Sequence, residues 1–466
     1  MAKLYIFGIG GTGARVLRSF TMLMAAGVKT GAYEIVPIII DPDKANADLT
    51  RAVDLMQKYR NIRSYLNFTK PEDEDKFFRK ALLDVLPNYT LRIEGTEDKT
   101  FQQFIDLSSM DKSSQAMMRM LFSEKNLSSS MDVGFKGNPN VGSVVLNQIV
   151  NSPDFEEFAN NFESEDKIFI ISSIFGGTGA SGFPLLLKTL RKGNGFKNHD
   201  IINKAEIGAI TVLPYFKLKN DEESEIESST FISKAKSALA YYENNIGNNN
   251  SINALYYLAD DISNIYENHE GGEAQKNNAH LIEFLAATAI VDFSNKKHDG
   301  TINKELGLRD MKSEAVTFAS FYENQKEELF NPLTKFTLMA ICFENKSDYF
   351  TSRIFNANRE FNKDFYNSSF FKDNFKPFTE KYLEWLREME GNKRSLKLFN
   401  LSVKDKPSEV VVGDKLKLSR KWGLIKEYYL IADRLNGAVN KCKIKDQKVK
   451  FLEMFNKGLS EIVDKK

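Results

Sequence analysis

The sequence predicts an α/β fold: a doubly wound, mostly parallel sheet, a central buried helix, and a helix-rich α+β C-terminal domain. Three observations lead there. Short apolar runs alternate with segments of helical apolar spacing through residue 258. Two of the runs lead into glycine-rich turns, GIGGTG at Gly8–Gly13 and GGTGASG at Gly176–Gly182. A segment apolar around nearly its whole circumference, Ala279–Phe293 (AHLIEFLAATAIVDF), then closes the series. Parallel strands need crossover connections, usually helices, so alternation of β and α implies a parallel sheet.

The elements follow in order. Lys3–Phe7 reads as a buried strand, and Ala14–Ala26 as a helix with Val16, Leu17, Phe20, Leu23 and Met24 on one face. Gly27 to Gly31 ends it. Glu34–Ile40 is a second strand that stops at Asp41-Pro42-Asp43. Pro37 cannot donate to a ladder, which points to a sheet edge or a strand start. Residues 45–130 are charged and helical in pattern, include PEDED at Pro71–Asp75, and read as a helical insertion. Strand signals return at Lys167–Phe175, Glu206–Pro214 and Ile252–Leu258, with helices at Val144–Val150, Pro184–Arg191 and Phe231–Glu243. A helix apolar all round must be buried on all sides. The one near 277–293 therefore acts as a spine, with Asn277 and Asn278 as N-cap residues. This divides the chain into an N-terminal domain over 1–276, the central helix, and a C-terminal domain over 294–466. In the last, Phe336–Phe343, Leu396–Leu401 and Glu409–Val412 read as strands, and the aromatic stretch Phe350–Trp385 reads as core.

Composition narrows the function classes. With 42% hydrophobic residues the chain can bury a sizeable core, and a net charge of +1 gives no overall footprint for nucleic acid or an anionic membrane. The two cysteines, Cys342 and Cys442, form no CxxC pair, metal spacing or disulfide framework. No signal peptide and no run of 18 apolar residues is visible, so a cytoplasmic protein in a reducing interior is expected.

The glycine turns carry the chemistry. Without Cβ atoms a chain can approach an anion closely, and the helix that follows contributes about half a positive charge at its start. GIGGTG matches the GxGxxG pattern of dinucleotide-binding folds, so an NAD-dependent oxidoreductase is one reading. Asp41 lies too far downstream for its ribose acid, and such a fold has no use for the second turn. Neither turn ends in Gly-Lys-Ser/Thr, which excludes a Walker loop. Arg15, just after the first turn, reads as a surface arginine. Phosphate charge would then be met by backbone N–H groups, helix dipoles and Mg²⁺.

Five segments in fixed order resemble the tubulin/FtsZ superfamily. FGIGGTGARV (Phe7–Val16) is similar to its first phosphate loop, which implies roles for Gly8, Gly10, Gly11, Thr12 and Gly13. IIIDPDKANADL (Ile38–Leu49) resembles the end of its second strand and implicates Asp41, Asp43 and Asn46. VGFKGNPNVGSVV (Val133–Val145) looks like the FtsZ loop on the γ-phosphate, giving Gly137, Asn138, Pro139, Val141 and Gly142. FGGTGASGFP (Phe175–Pro184) is similar to the signature loop, with Gly176, Gly177, Thr178, Gly179, Ala180, Ser181 and Gly182. ITVLPYF (Ile210–Phe216) resembles the sugar-side segment containing Pro214, and Asn277 or Asn278 matches the polar residue that reads the base.

The resemblance implies GTP or GDP with Mg²⁺, and head-to-tail self-association into a cytoskeletal filament whose GTPase activity depends on assembly. Three departures stand out. Phe175 replaces the first glycine of the signature loop, and no aromatic lies four residues before Asn277 or Asn278 to stack on a base. Ile290 stands where the family's catalytic Asn-x-Asp would begin, leaving Asp292 and Asp299 as the nearby carboxylates. The alternative is a nucleotide-binding scaffold or switch that does not polymerise dynamically and hydrolyses slowly or not at all. A protein partner would then use the 45–130 insertion or the C-terminal domain. His280 reads as a packed histidine satisfied by its neighbours.

Overall fold

The computed structural model describes the chain except for residues 69–75, 132–133, 220–229, 248–249, 262–263, 268–271, 297–302, 306, 311–312, 353–358, 419–425 and 465–466. The PEDED run and Asp299 lie outside the described residues. Its frame is a six-stranded parallel sheet. The strands are β1 (Lys3–Ile9), β2 (Glu34–Ile40), β3 (Lys167–Ser173), β4 (Glu206–Val212), β6 (Ala254–Leu258) and β8 (Asn303–Glu305), in the order β2-β1-β3-β4-β6-β8. β5 (Phe216–Leu218) and β7 (Asn264–Tyr266) form a separate parallel pair. β1 to β4 are buried along nearly their whole length, as their continuous apolar runs require of a parallel sheet covered on both faces. β2 is an edge strand, which accommodates Pro37.

Two helices start directly from the glycine turns, α1 (Gly10–Ala25) after β1 and a second at Gly177–Lys192 after β3. Both begin earlier than apolar spacing alone predicts, because glycine-rich first turns carry no apolar side chains to register the period. The helix α2 (Ala47–Ser64) is capped by Asn46, whose Oδ1 accepts from the N–H groups of Asp48 (2.9 Å) and Leu49 (3.3 Å).

The central helix is Leu281–Asn295, buried over all but its last positions. His280, rather than Asn277 or Asn278, is its cap: Nδ1 accepts from Ile282 N–H at 3.1 Å, and Glu283 returns a bond to His280 N–H at 3.1 Å. That reciprocal pair satisfies two first-turn donors with side chains already enclosed. On one side Phe293 lies on the sheet, where a Cβ on Gly208 would stand 2.5 Å from its ring. On the other side Phe284 meets Trp385 at 6.0 Å between ring centroids.

The C-terminal part is built on helices Glu323–Phe350, Lys376–Glu390, Glu427–Lys441 and Gln447–Val463. The expected strand at Phe336–Phe343 is instead the buried middle of the first of these. Its apolar run is long because the helix is enclosed on most sides, which periodicity cannot distinguish from a buried strand. Of the other two expected strands, only Ser395–Leu396 and an isolated bridge between Phe399 and Val411 appear. The aromatic stretch is core as expected, with Phe361, Phe370, Phe375, Phe378 and Trp385 all buried. The 45–130 region is no loose appendage. Phe77 packs on Phe336 (5.3 Å) and Phe78 on Phe378 (5.0 Å), joining it to the C-terminal helices.

Candidate functional site

The carboxyl ends of β1, β2 and β3 open into one cleft, where open parallel sheets characteristically take ligands. The two glycine turns face each other across it. A Cβ built on Gly10 would stand 3.4 Å from Cβ of Thr178 and 3.8 Å from the backbone N of Gly179. Gly10, Gly11 and Thr12 line one wall, and Gly176, Gly177, Thr178 and Gly179 the other. Neither α1 nor Gly177–Lys192 has a side-chain N-cap bond. The first four N–H groups of a helix have no intrahelical partner. Here two such sets, and two helix dipoles, converge on one space.

The glycines within each turn serve different ends. Gly11 is open toward the cleft: a Cβ there would sit 3.6 Å from an Arg15 nitrogen and 3.9 Å from Asn46 Nδ2. Gly13 is a packing glycine, since its Cβ would lie 2.3 Å from the carbonyl carbon of Gly8. Gly8 and Gly182 are likewise buried against Leu17 and Ile9 and do not line the cleft.

A strap formed by Gly134–Gly137 closes one end of the cleft. Its backbone is left-handed at Gly134 (φ 82°), Lys136 (φ 43°) and Gly137 (φ 72°). Such a conformation strains a lysine, and strain of this kind concentrates at functional sites. Lys234 Nζ holds the strap by donating to the carbonyl oxygen of Gly137 at 2.9 Å. Asn138, Pro139, Ala180 and Ser181 stand beyond it, on a separate cavity, and Gly142 packs against Ser181. Of Gly137, Asn138, Pro139, Val141 and Gly142, only Gly137 lines the cleft itself.

Asp41, Asp43 and Asn46 also line the cleft, and all three are buried. Asp41 Oδ1 accepts from Asp43 N–H (3.1 Å), and Asp43 accepts from Ala45 N–H (3.1 Å) and Gly272 N–H (2.7 Å). Burial, reinforced by the neighbouring Asp43 charge, pushes the Asp41 carboxyl up to about 7. Asn46 Nδ2 donates to Gln275 at 2.6 Å, a cleft residue that sequence gave no reason to single out.

Asn277 also lines the cleft, whereas Asn278 and Pro214 do not. Freed from capping, Asn277 is fixed by Asp48: its backbone N–H donates to Oδ1 (3.0 Å) and its Nδ2 to Oδ2 (2.9 Å). A carboxylate only accepts, so the amide nitrogen must face Asp48 and the amide oxygen must point the other way.

Arg15 is the main correction. Far from being a surface arginine it is 4% exposed. It donates to Glu283 (2.6 Å), Asp48 (2.9 Å) and the Tyr215 hydroxyl (2.9 Å), and Tyr215 donates in turn to Glu283 (2.9 Å). Burial opposes the guanidinium charge, but Tyr215, Glu283 and Asp48 outweigh it and hold Arg15 charged. The signal was present: Glu283 is the one acid in the first part of an otherwise apolar helix, and a buried acid needs a buried cation.

Phe175, Phe216 and Phe231 form an aromatic wall, with ring centroids 5.0 Å (Phe175–Phe231) and 5.6 Å (Phe175–Phe216) apart. The residue that departs from the signature loop is thus part of the cleft. Asp292, the described catalytic candidate, does not line the cleft. It accepts from the Tyr256 hydroxyl at 2.8 Å and pairs with Lys296.

The chain matches no family model and no curated protein. Among solved structures it is similar to CetZ from Methanosaeta thermophila strain DSM 6194, at 17% identity and a TM-score of 0.29, over 56% of this chain and 46% of that one. It is also similar to CetZ2 from Haloferax volcanii, a GTPγS-bound protofilament, at 15% identity and a TM-score of 0.29, over 55% of this chain and 49% of that one. The match thus spans about half the length of each CetZ chain. Among the described residues, no helix is long and apolar enough to cross a membrane.

Proposed function

We propose that this chain is a GTP-binding protein of the tubulin/FtsZ type, with the doubly wound nucleotide domain that type implies. The observation that supports it is the meeting of two uncapped, glycine-opened helix starts on one cleft. Two helix dipoles supply roughly one positive charge, and their free N–H groups suit a polyphosphate gripped from both sides. Asn277, with its amide oxygen turned from Asp48, can accept from the N1–H or exocyclic amine of guanine. The phenylalanine wall supplies the apolar surface that the segment before Asn277 lacks.

Among the described residues no group of three His, Cys, Asp or Glu could hold a metal alone. Mg²⁺ binds through phosphate oxygens, waters and one or two carboxylates and would need no such group. The ion would neutralise phosphate charge; the chain's part is to position the phosphates.

Self-association head to tail belongs to this reading. For hydrolysis, a slowly turning switch is favoured by Asp292, whose carboxylate is already held by Tyr256 and Lys296. Equilibrium binding of GTP, ATP and NAD to the full chain, followed by sedimentation with GTP and with a non-hydrolysable analogue, tests both points. Binding of GTP over ATP and NAD is expected. Tight NAD binding without guanine-nucleotide affinity would replace the proposal with a dehydrogenase. Nucleotide-dependent pelleting that reverses with hydrolysis would replace the switch with a dynamic filament.

A further inference from the structure

Behind the strap lies a second cavity, of about 870 Å³, which is within the size range of small-molecule sites. Lys125, Lys136, Lys188 and Lys234 line it, and no Asp or Glu does among the described residues. The side chains of Lys125 and Lys188 are exposed, Lys234 is tied to the Gly137 carbonyl oxygen, and Lys125 and Lys188 give the concavity a field that favours an anion. The floor is apolar, with Val141 and Leu185 on it. The helix Pro139–Leu146 also begins on this cavity, adding the positive end of its dipole to the lysines.

We propose that this cavity is a second binding site, for a small organic compound carrying two or more phosphate groups. Lys125 and Lys188 would take the phosphates, and Val141 and Leu185 the organic part. Lys contributes a mobile point charge rather than a fixed fork, which suits clustered phosphate oxygens more than a single planar carboxylate. Phe135, Lys136 and Gly137 line both this cavity and the glycine-turn cleft, so the strap is the common wall of two anion sites. A ligand on one side therefore sets the wall that a ligand on the other must meet.

The experiment is calorimetric titration of the full chain with inorganic pyrophosphate. The Gly11→Val variant closes the first cleft at a position that does not touch the strap. The Lys125→Gln/Lys188→Gln double variant strips two lysines whose side chains reach solvent and should leave the fold intact. Expected are retained pyrophosphate binding by Gly11→Val, at least tenfold weaker binding when Lys125→Gln/Lys188→Gln is added to Gly11→Val, and unchanged nucleotide affinity of the lysine variant alone at the first cleft. Loss of pyrophosphate binding in Gly11→Val would assign it to the first cleft and overturn the second site. Undiminished binding when the lysine changes are added to Gly11→Val, or no binding in wild type, would overturn it equally. Whether the first cleft takes GTP is read separately, from the nucleotide titration.

Discussion

Gly11 and Gly13 lie two residues apart in one turn, yet substitution should have opposite consequences. An added Cβ at Gly13 would sit 2.3 Å from the Gly8 carbonyl carbon and 2.7 Å from its Cα. Both contacts are with backbone, so nothing can swing aside. Gly13→Ala should cost at least about 3 kcal/mol, the upper range for overpacking, and much of the chain should fail to fold. At Gly11 the nearest neighbours are 3.6 Å and 3.9 Å away and are side-chain tips. Gly11→Val should leave the thermal midpoint within about 1 °C of wild type, a change of about 1 kcal/mol or less. Its isopropyl group, however, fills the space where a phosphate would approach the N–H groups of α1. Losing two charge-assisted hydrogen bonds of about 1.5–3 kcal/mol each amounts to about 3–6 kcal/mol. That is a loss of roughly 10²- to 10⁴-fold in GTP affinity. Titration of a fluorescent GTP analogue, read beside thermal unfolding, measures both effects. A folded Gly11→Val protein that binds GTP within threefold of wild type would refute the phosphate-cleft reasoning.

Three further outcomes are expected. Asp41 titrates at about 7 in the folded chain against an ordinary value of 3.8. The folded state thus holds a proton that the unfolded state releases, and stability falls as pH rises from about 4 to 7. Asp41→Asn should match wild type near pH 4 and gain up to about 4 kcal/mol by pH 7 in denaturant titrations, and parallel curves would contradict this. His280 behaves oppositely: burial, aided by Arg15 and Arg394, lowers its pKa from 6.5 to about 3. Its contribution is complete above pH 6.5 and declines on acidification, by about 2 kcal/mol at pH 5, a slope that His280→Asn should abolish while keeping a helix cap. Asp48→Ala leaves Arg15, Arg51 and Asn277 without their shared acceptor. It should cost about 3–5 kcal/mol on unfolding and weaken nucleotide binding as well, whereas an intact affinity would separate Asn277 from base recognition.

Much of the fold was legible because its signals are local. The strand starts at Lys3, Glu34, Lys167 and Glu206 are those of the apolar runs, and the edge position of Pro37 follows from its missing N–H. The convergence of the two turns follows from their common strand–turn–helix setting at the carboxyl ends of neighbouring parallel strands. What escaped was non-local. Nothing next to Arg15 in sequence marks it as buried: the sign lies in Glu283 on the distant apolar helix, and Asp48 and Tyr215 come from two further segments. Apolar continuity at Phe336–Phe343 could not separate a strand from an enclosed helix. Asn277 looked like a cap because capping and binding favour the same side chain. Only the place of His280 in the chain path decides between them.

Glu388, on the helix Lys376–Glu390, accepts from Arg18 on α1 (2.6 Å), from Arg51 on α2 (3.0 Å) and from the Ala279 N–H just before the central helix (2.8 Å). One carboxylate thus fastens three pieces of the amino-terminal half to a helix a hundred residues further on. A fragment ending after the central helix would leave the Arg18 guanidinium without its carboxylate, deprive Arg51 of one of its two, and bare the face of Phe284. The glycine-turn half is therefore not a detachable module: its shape is completed by chain that is synthesised after it.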